Sequence, residues 1–430
     1  MTPPLLSVGV LVAGAVVILL LVGPISTRPL LTSIIGVPFS LVAAGIGLQS
    51  EPPLSLAVVG LSLVATIALL LLPVLQAEVP GHVAEAAALL LLATGGAVAL
   101  AAATDLLQVV VGLETLALSA VTLVALSAGP RPLEAAFKYF VLGALSLAGL
   151  LYGLGLIYLT TGSFNFPNVS SSNPLTLVGI VLVALGIAFE LAMFPFHWGA
   201  LDAYTAAAPP LAGYVMSASK LAAAYALGRL VLASGGTAAQ LLIWGGALTI
   251  LWGTFGALAQ GRNLRRMLGY SAVTHAGFIA LAAGSGPDGP TVAAFYAAVY
   301  GSMAMLVFAA LASSPTADVT SLGPLRAGAL ALGLFSLSGI PPTPGFWAKL
   351  AVLVVAWQGA GVVPTLIAVF GGVFSVLYYL RPIPELFAIL RERVPAVGMV
   401  APLAGVLLAG ALVVVLGVFP GVAWTLAAAR

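Results

Sequence analysis

The stretch GIAFELAMFPFHWGALDAYTAAAPPLAGYVMSASKLAAAYAL, residues 186–227, dictates how the chain folds. It is apolar and long enough to cross a bilayer twice, yet Glu190, Pro195 and Lys220 sit deep within it. A charge at the centre of a membrane helix costs roughly 2.5–3.5 kcal/mol on insertion scales. A proline at mid-course removes a backbone donor and breaks the helix. The freed backbone groups are tolerated at membrane depth only where protein or a hydrated cavity satisfies them. The stretch therefore reads as a broken transmembrane helix followed by an intact one, both facing the protein interior.

A second stretch repeats the device. LSGIPPTPGFWAKL, residues 337–350, carries Pro341, Pro342 and Pro344 in mid-course, with Lys349 five residues after the last of them. Glu190 lies five residues before Pro195. Interrupted helices in two halves of a chain point to a transport site. Glu114, inside LLQVVVGLETLALSAV (106–121), is a fourth charge of this kind. Four such residues together imply about 10–14 kcal/mol of unfavourable insertion, which favours a functional reason for keeping them. The cost is conspicuous in a chain that is only 6% charged and 62% hydrophobic over 430 residues.

Apolar runs of about 20 residues continue on both sides, so the fold class is an all-α integral membrane protein with about 14 transmembrane helices. The expected spans lie near 5–23, 29–49, 54–75, 84–103, 105–127, 133–160, 175–206, 209–233, 238–260, 265–285, 290–313, 323–358, 362–390 and 397–425. The first is read as a retained helix rather than a signal peptide, because its flank has no basic segment. The whole chain, 1–430, reads as a single membrane domain. Within it, three N-terminal helices (1–78) precede one five-helix set (84–234), a second (238–390) and a C-terminal helix (391–430). Each broken span is the fourth helix of its set. Arg28, Arg131, Arg262, Arg265, Arg266, Arg326, Arg381, Arg391 and Arg393 all fall on loops that join odd to even spans. By the positive-inside rule those loops are cytoplasmic and both termini lie on the opposite face; Arg229 and Arg430 are the exceptions.

Cysteine is absent, which excludes an iron–sulfur cluster, a thiolate-bound metal or a disulfide on this chain. No metal site and no nucleic-acid partner is expected. A lysine held away from water is costly to keep charged, so a neighbouring charge can decide whether it carries its proton. Lysine has donors only and cannot coordinate a cation, which argues against sodium at Lys220 or Lys349. His275, in SAVTHAGF, is a candidate bridge between two halves of a hydrated path, with Tyr270, Ser271 and Thr274 beside it.

Several segments resemble a known family: RPLEAAFKYFVLGALSLAGLLYGLGLIYLTTG (131–162), MFPFHWGALDAYTAAAPPLAGYVMSASKLAAAYAL (193–227), GRNLRRMLGYSAVTHAGFIAL (261–281) and LSGIPPTPGFWAKL. In that order they are similar to the antiporter-like subunits of bacterial respiratory complex I, the N-type above all, over about Leu113 to Tyr379. The resemblance implies two inverted five-helix repeats with broken seventh and twelfth helices. It also implies a proton-translocating subunit of NADH:quinone oxidoreductase in the bacterial inner membrane. FMN, iron–sulfur clusters and quinone would then sit on partner subunits, among other membrane-arm subunits including homologous antiporter-like ones. Glu114, Lys138 and Lys220 match the family's glutamate on the fifth helix and its lysines on the sixth and eighth, and Lys349 matches the one following the broken twelfth.

One position departs from the family pattern. Where the family usually has a lysine seven residues before the histidine of PFH, this chain has Glu190. Two close carboxylates in a low-dielectric site resist double ionisation, so Glu114 and Glu190 are expected to titrate as a unit, with Lys138 as the candidate positive charge.

Each residue also has a blander reading. Lys220, Lys349 and Glu114 could be structural charges paired at a helix break. Lys138 is about six residues from a helix end, where its stem can snorkel to the interface. His275 could be a packing histidine, and His197 and Asp202 could gate an inlet or cap exposed backbone. For the whole chain, the alternatives are a subunit of a multisubunit cation/proton antiporter or membrane-bound hydrogenase, or a non-pumping scaffold.

Overall fold

The computed structural model describes residues 2–22, 29–169, 173–234, 236–312, 314, 319–391 and 400–428. Among these there is no strand, and eighteen α-helices follow one another. The first six are α1 (Pro3–Leu21), α2 (Pro29–Gly47), α3 (Leu54–Leu71), α4 (Val83–Ala102), α5 (Leu106–Ala125) and α6 (Pro130–Thr161). Next come α7 (Pro174–Leu191), α8 (Trp198–Ala206), α9 (Pro209–Ala233), α10 (Thr237–Ala259), α11 (Leu264–Gly284) and α12 (Gly289–Ala310). The last six are α13 (Pro324–Ser338), α14 (Pro344–Gly359), α15 (Val362–Tyr379), α16 (Ile383–Arg391), α17 (Val400–Val418) and α18 (Gly421–Ala428).

Proline opens many of these helices, where its missing N–H has no partner to lose. Asp105, Asn173 and Asn263 cap α5, α7 and α11 by accepting from backbone N–H groups. At the other ends, arginines take up free carbonyls. Arg326 donates to Ala310 O at 2.8 Å, Arg381 to Leu258 O at 2.9 Å, Arg265 to Ala207 O and Arg229 to Ala103 O. Of the other arginines that bear on orientation, Arg28, Arg393 and Arg430 lie outside the described residues.

Twelve of the described helices are long and apolar enough to cross a membrane, and α17 with α18, bent by 86°, passes the same test only as a pair, giving up to thirteen spans. The difference from the expected 14 lies at 323–358. That segment is split into α13 and α14, of 15 and 16 residues, and at about 1.5 Å per residue neither half reaches across a core about 30 Å thick.

α9, α11 and α12 form the enclosed centre of the bundle, while α1, α2 and α6 lie at its edge. Close approach at the centre depends on absent side chains. A Cβ on Gly246 of α10 would fall 2.8 Å from the carbonyl oxygen of Gly277 on α11, so the two helices meet backbone to backbone. Lys220 of α9 and His275 of α11 are therefore sealed inside.

Candidate functional site

The two broken helices turn by the same backbone device. α7 ends at Leu191, and Ala192 adopts the left-handed conformation at φ 64°, with its N–H on the carbonyls of Ala188 and Phe189. α13 ends at Ser338, and Gly339 does the same at φ 83°, bonding to Phe335 and Ser336. The next residue in each case reaches back to the last turn: Met193 N to Ala188 O at 3.1 Å, Ile340 N to Phe335 O at 3.3 Å. A proline follows three residues after the left-handed residue, at Pro195 and at Pro342. Ala192 is the one non-glycine residue with positive φ among the described residues.

The side chains beside the two turns differ in sign. Lys349, on α14, reaches across the second break and donates to Ser338 O at 2.7 Å and to Ser375 Oγ on α15 at 2.9 Å. A cation there satisfies a terminal carbonyl and complements the negative end of α13. Glu190, one residue before the end of α7, places a carboxylate at the same kind of helix terminus. It is 1% exposed, and neither carboxylate oxygen hydrogen-bonds to a described residue. A buried charge without a partner is unfavourable.

Glu190 is held within Coulombic reach of Lys220, and Glu114 acts on it as well. Lys220 is fully buried on α9, with Nζ 3.4 Å from Tyr204 Oη and 4.9 and 5.7 Å from the ring centres of Tyr204 and Tyr300. Lys220 and Lys349 both act on His275. His275 bonds through Nδ1 to Tyr296 Oη at 2.8 Å and through Nε2 to Tyr379 Oη at 3.0 Å, and Tyr379 in turn bonds to Ser271 Oγ. A row of electrostatically connected groups thus runs through the interior: Glu114, Glu190, Lys220, His275, Lys349. Its first member is half-buried, at the edge of the face of α5 where Val111 and Leu118 are exposed.

Lys138 lies outside this row. Its ammonium is 2.7 Å from Glu134 and 3.4 Å from Asp202, and Arg266 lies 3.8 Å from the same Asp202. This is a surface cluster on α6, α8 and α11, so the cation that acts on Glu190 is Lys220 rather than the expected Lys138. His197 and Asp202 also part company. His197 is buried, accepts the Trp252 indole N–H on Nε2 at 2.8 Å and packs among aromatic rings, whereas Asp202 is half-exposed. Pro195 frees no donor of its own, and the N–H of Phe194 before it is taken up by Thr249 Oγ1 at 3.2 Å.

Tyrosines join the charged residues in the interior. The buried Tyr204 sits against Lys220, and the buried Tyr296 and Tyr379 hydroxyls bracket His275, whereas the buried Tyr139 hydroxyl hydrogen-bonds to no described residue. A phenol deep in an apolar span was the available signal, since tyrosine usually finds a polar partner when buried. Among the described residues, no three His, Cys, Asp or Glu side chains converge as a metal site would require.

The family model described as "NADH:quinone oxidoreductase/Mrp antiporter, TM" matches residues 103–375. The chain is 36% identical over 400 residues to the NADH-quinone oxidoreductase subunit N 1 of Solidesulfovibrio magneticus, covering 87% of this chain and 86% of that one. It matches a chain of respiratory complex I from Thermus thermophilus with a TM-score of 0.78 at 27% identity, over 98% of this chain and 99% of that one. A chain of the archaeal membrane-bound sulfane sulfur reductase shares the fold, with a TM-score of 0.83 at 24% identity over 99% and 96% of the two chains.

Proposed function

The chain belongs to the membrane family shared by NADH:quinone oxidoreductase and Mrp antiporters, and on that premise we propose that it is the proton-carrying N-type subunit of a complex I assembly. The observation that carries this reading is the row that runs from the half-buried Glu114 through the buried Glu190, Lys220 and His275 to Lys349, with Lys220 against Tyr204 and the His275 ring held between the hydroxyls of Tyr296 and Tyr379. Charge that changes at one end is passed on as changed proton affinity at the neighbouring group.

Each residue has a role in this reading. Glu190 and Lys220 form the first exchange pair, a carboxylate and an ammonium between which one proton can be redistributed. His275 joins the halves. A neutral imidazole has one N–H and one lone pair, so of Tyr296 and Tyr379 one accepts from the ring and the other donates to it. For a proton to cross, the ring takes one at one nitrogen from the donating phenol and gives up the other to the accepting phenol, after which the order of the two bonds is reversed. Lys349 is the second lysine, positioned by Ser338 and Ser375. At the surface, Glu134 and Asp202 are the groups that can take up a proton, held in place by Lys138 and Arg266.

The basic loops are assigned to the cytoplasm and both termini to the opposite side of the bacterial inner membrane. FMN, iron–sulfur clusters and quinone are assigned to partner subunits, and further antiporter-like subunits to the same membrane arm. The antiporter alternative shares the family model and, at 21% identity, the fold of a chain of an Mrp complex, whereas the relative at 36% identity is a subunit N of NADH-quinone oxidoreductase. Purification from native membranes separates them: flavin-containing and iron–sulfur subunits co-purify with a complex I subunit, and recovery of membrane subunits alone contradicts the assignment.

A further inference from the structure

Helices α6 and α8 stand between the surface cluster and the buried row, and each contributes a residue to both sides. On α6, Lys138 is half-exposed and meets Glu134 and Asp202, while the next residue, Tyr139, is 1% exposed. On α8, Asp202 is partly exposed, whereas Tyr204, two residues on, is buried with its hydroxyl 3.4 Å from Lys220 Nζ. Residues two apart on a helix are turned by roughly 200°, which sends one outward and the other inward. The two helices meet closely because Gly199 of α8 has no side chain: a Cβ there would lie 3.1 Å from Tyr139 Cα.

On the inner side two groups lack partners, and what each lacks the other can supply. The Tyr139 hydroxyl hydrogen-bonds to no described residue, and neither does either carboxylate oxygen of Glu190. One is an O–H donor, the other an acceptor. Phe189, the residue before Glu190 on α7, stacks its ring on that of Tyr139 with centres 5.8 Å apart, and Glu190 lies within Coulombic reach of the phenol. A buried donor or acceptor left unsatisfied costs about 1–3 kcal/mol. A buried water settles among about two to four polar partners, and the Tyr139 and Glu190 oxygens are three.

We propose that Tyr139 is the inlet of the relay, passing protons from the Asp202 carboxyl group at the surface to the Glu190 carboxylate by way of bridging water. The inlet rests on the reading of the chain as a proton carrier and adds to it the residue through which the row is loaded. In the step, the Tyr139 O–H bond breaks as its proton passes to a Glu190 oxygen, and the phenol oxygen takes a proton from water. That water is reprotonated by the Asp202 carboxyl group, so the net change is one proton moved from Asp202 to Glu190. Giving and receiving together leaves no unpaired charge on the buried phenol.

Tyr139→Phe tests the inlet in inverted vesicles containing the native assembly, because it removes the hydroxyl and keeps the ring against Phe189. The assembly is expected to form with an unchanged melting temperature, and NADH-driven proton uptake to fall several-fold. Asp202→Asn is expected to slow uptake as well, and the double variant to be no slower than the slower single one, as for steps in series. A tyrosine that merely packs would give normal uptake in Tyr139→Phe, or defects that multiply in the double variant, and either result overturns the inlet. Lys220→Ala, measured alongside, separates the inlet from the relay. Collapsed uptake there with normal uptake in Tyr139→Phe overturns the inlet alone, and normal uptake in both overturns the two together.

Discussion

The two broken helices share a backbone and differ in chemistry. At both, a left-handed residue ends the first half and a proline follows three residues later. At the second break the lysine is also a structural member, since Lys349 occupies the carbonyl of Ser338 and the hydroxyl of Ser375. At the first break Glu190 hydrogen-bonds to no described residue, and its electrostatic partner is Lys220 on another helix. The two buried charges are therefore unequal probes. Removing Lys349 damages a turn and a relay together, while removing the charge of Glu190 touches the relay alone.

The largest effect is expected from Lys349→Ala. It takes the ammonium from the Ser375 hydroxyl and from the Ser338 carbonyl, which is left with only the long 3.4 Å bond from Ser375 Oγ, and this costs about 2 kcal/mol of stability and abolishes proton uptake. Thermal unfolding of the assembly and uptake in inverted vesicles measure the two parts. If stability is unchanged, the structural half of the contrast fails.

Glu190→Gln is expected to keep stability within about 1 kcal/mol, because no hydrogen bond in the fold depends on the charge, yet to reduce uptake at least tenfold. Glu190→Lys, which restores the residue usual in the family, is expected to retain uptake. A fully active Glu190→Gln variant would remove Glu190 from the relay.

Smaller effects bear on the shared backbone. Gly339→Ala is expected to cost about 1–2 kcal/mol, since left-handed backbone penalises a Cβ and here that Cβ would lie 3.0 Å from Lys349 Cδ. Ala192→Gly, at the matching position, is expected to be neutral or stabilising by up to about 1 kcal/mol. A loss of stability at both sites, read from the melting temperatures, would show that the two turns are not equivalent in energy. Least of all, Lys138→Ala should leave the melting temperature unchanged and slow uptake by no more than a few-fold, because surface ion pairs contribute little.

The breaks were legible because prolines and charges are too costly in an apolar chain to persist without a structural or chemical role. Pro195, Pro341 and Pro342 marked both turns, and Glu190, Lys220 and Lys349 stood out by the cost of burying them. What could not be read was direction. Whether Lys138 faces Glu190 or Glu134 depends on the rotation of a 32-residue helix with polar residues near one end, and the i, i+4 spacing to Glu134 was the overlooked clue. His197 looked like a gate because it follows a break, but its burial against Trp252 arises from α10, far away in sequence. The tyrosines around His275 come from α12 and α15, so their convergence exists only after packing.

The relay requires Lys220 to be an obligatory member of a proton path. The decisive measurement is NADH-driven proton uptake by inverted vesicles carrying Lys220→Ala, with assembly of the complex checked and quinone reduction followed in parallel. The expected result is an assembled complex in which uptake and turnover both collapse. Normal uptake at normal stoichiometry would contradict it and leave the buried lysine a structural residue.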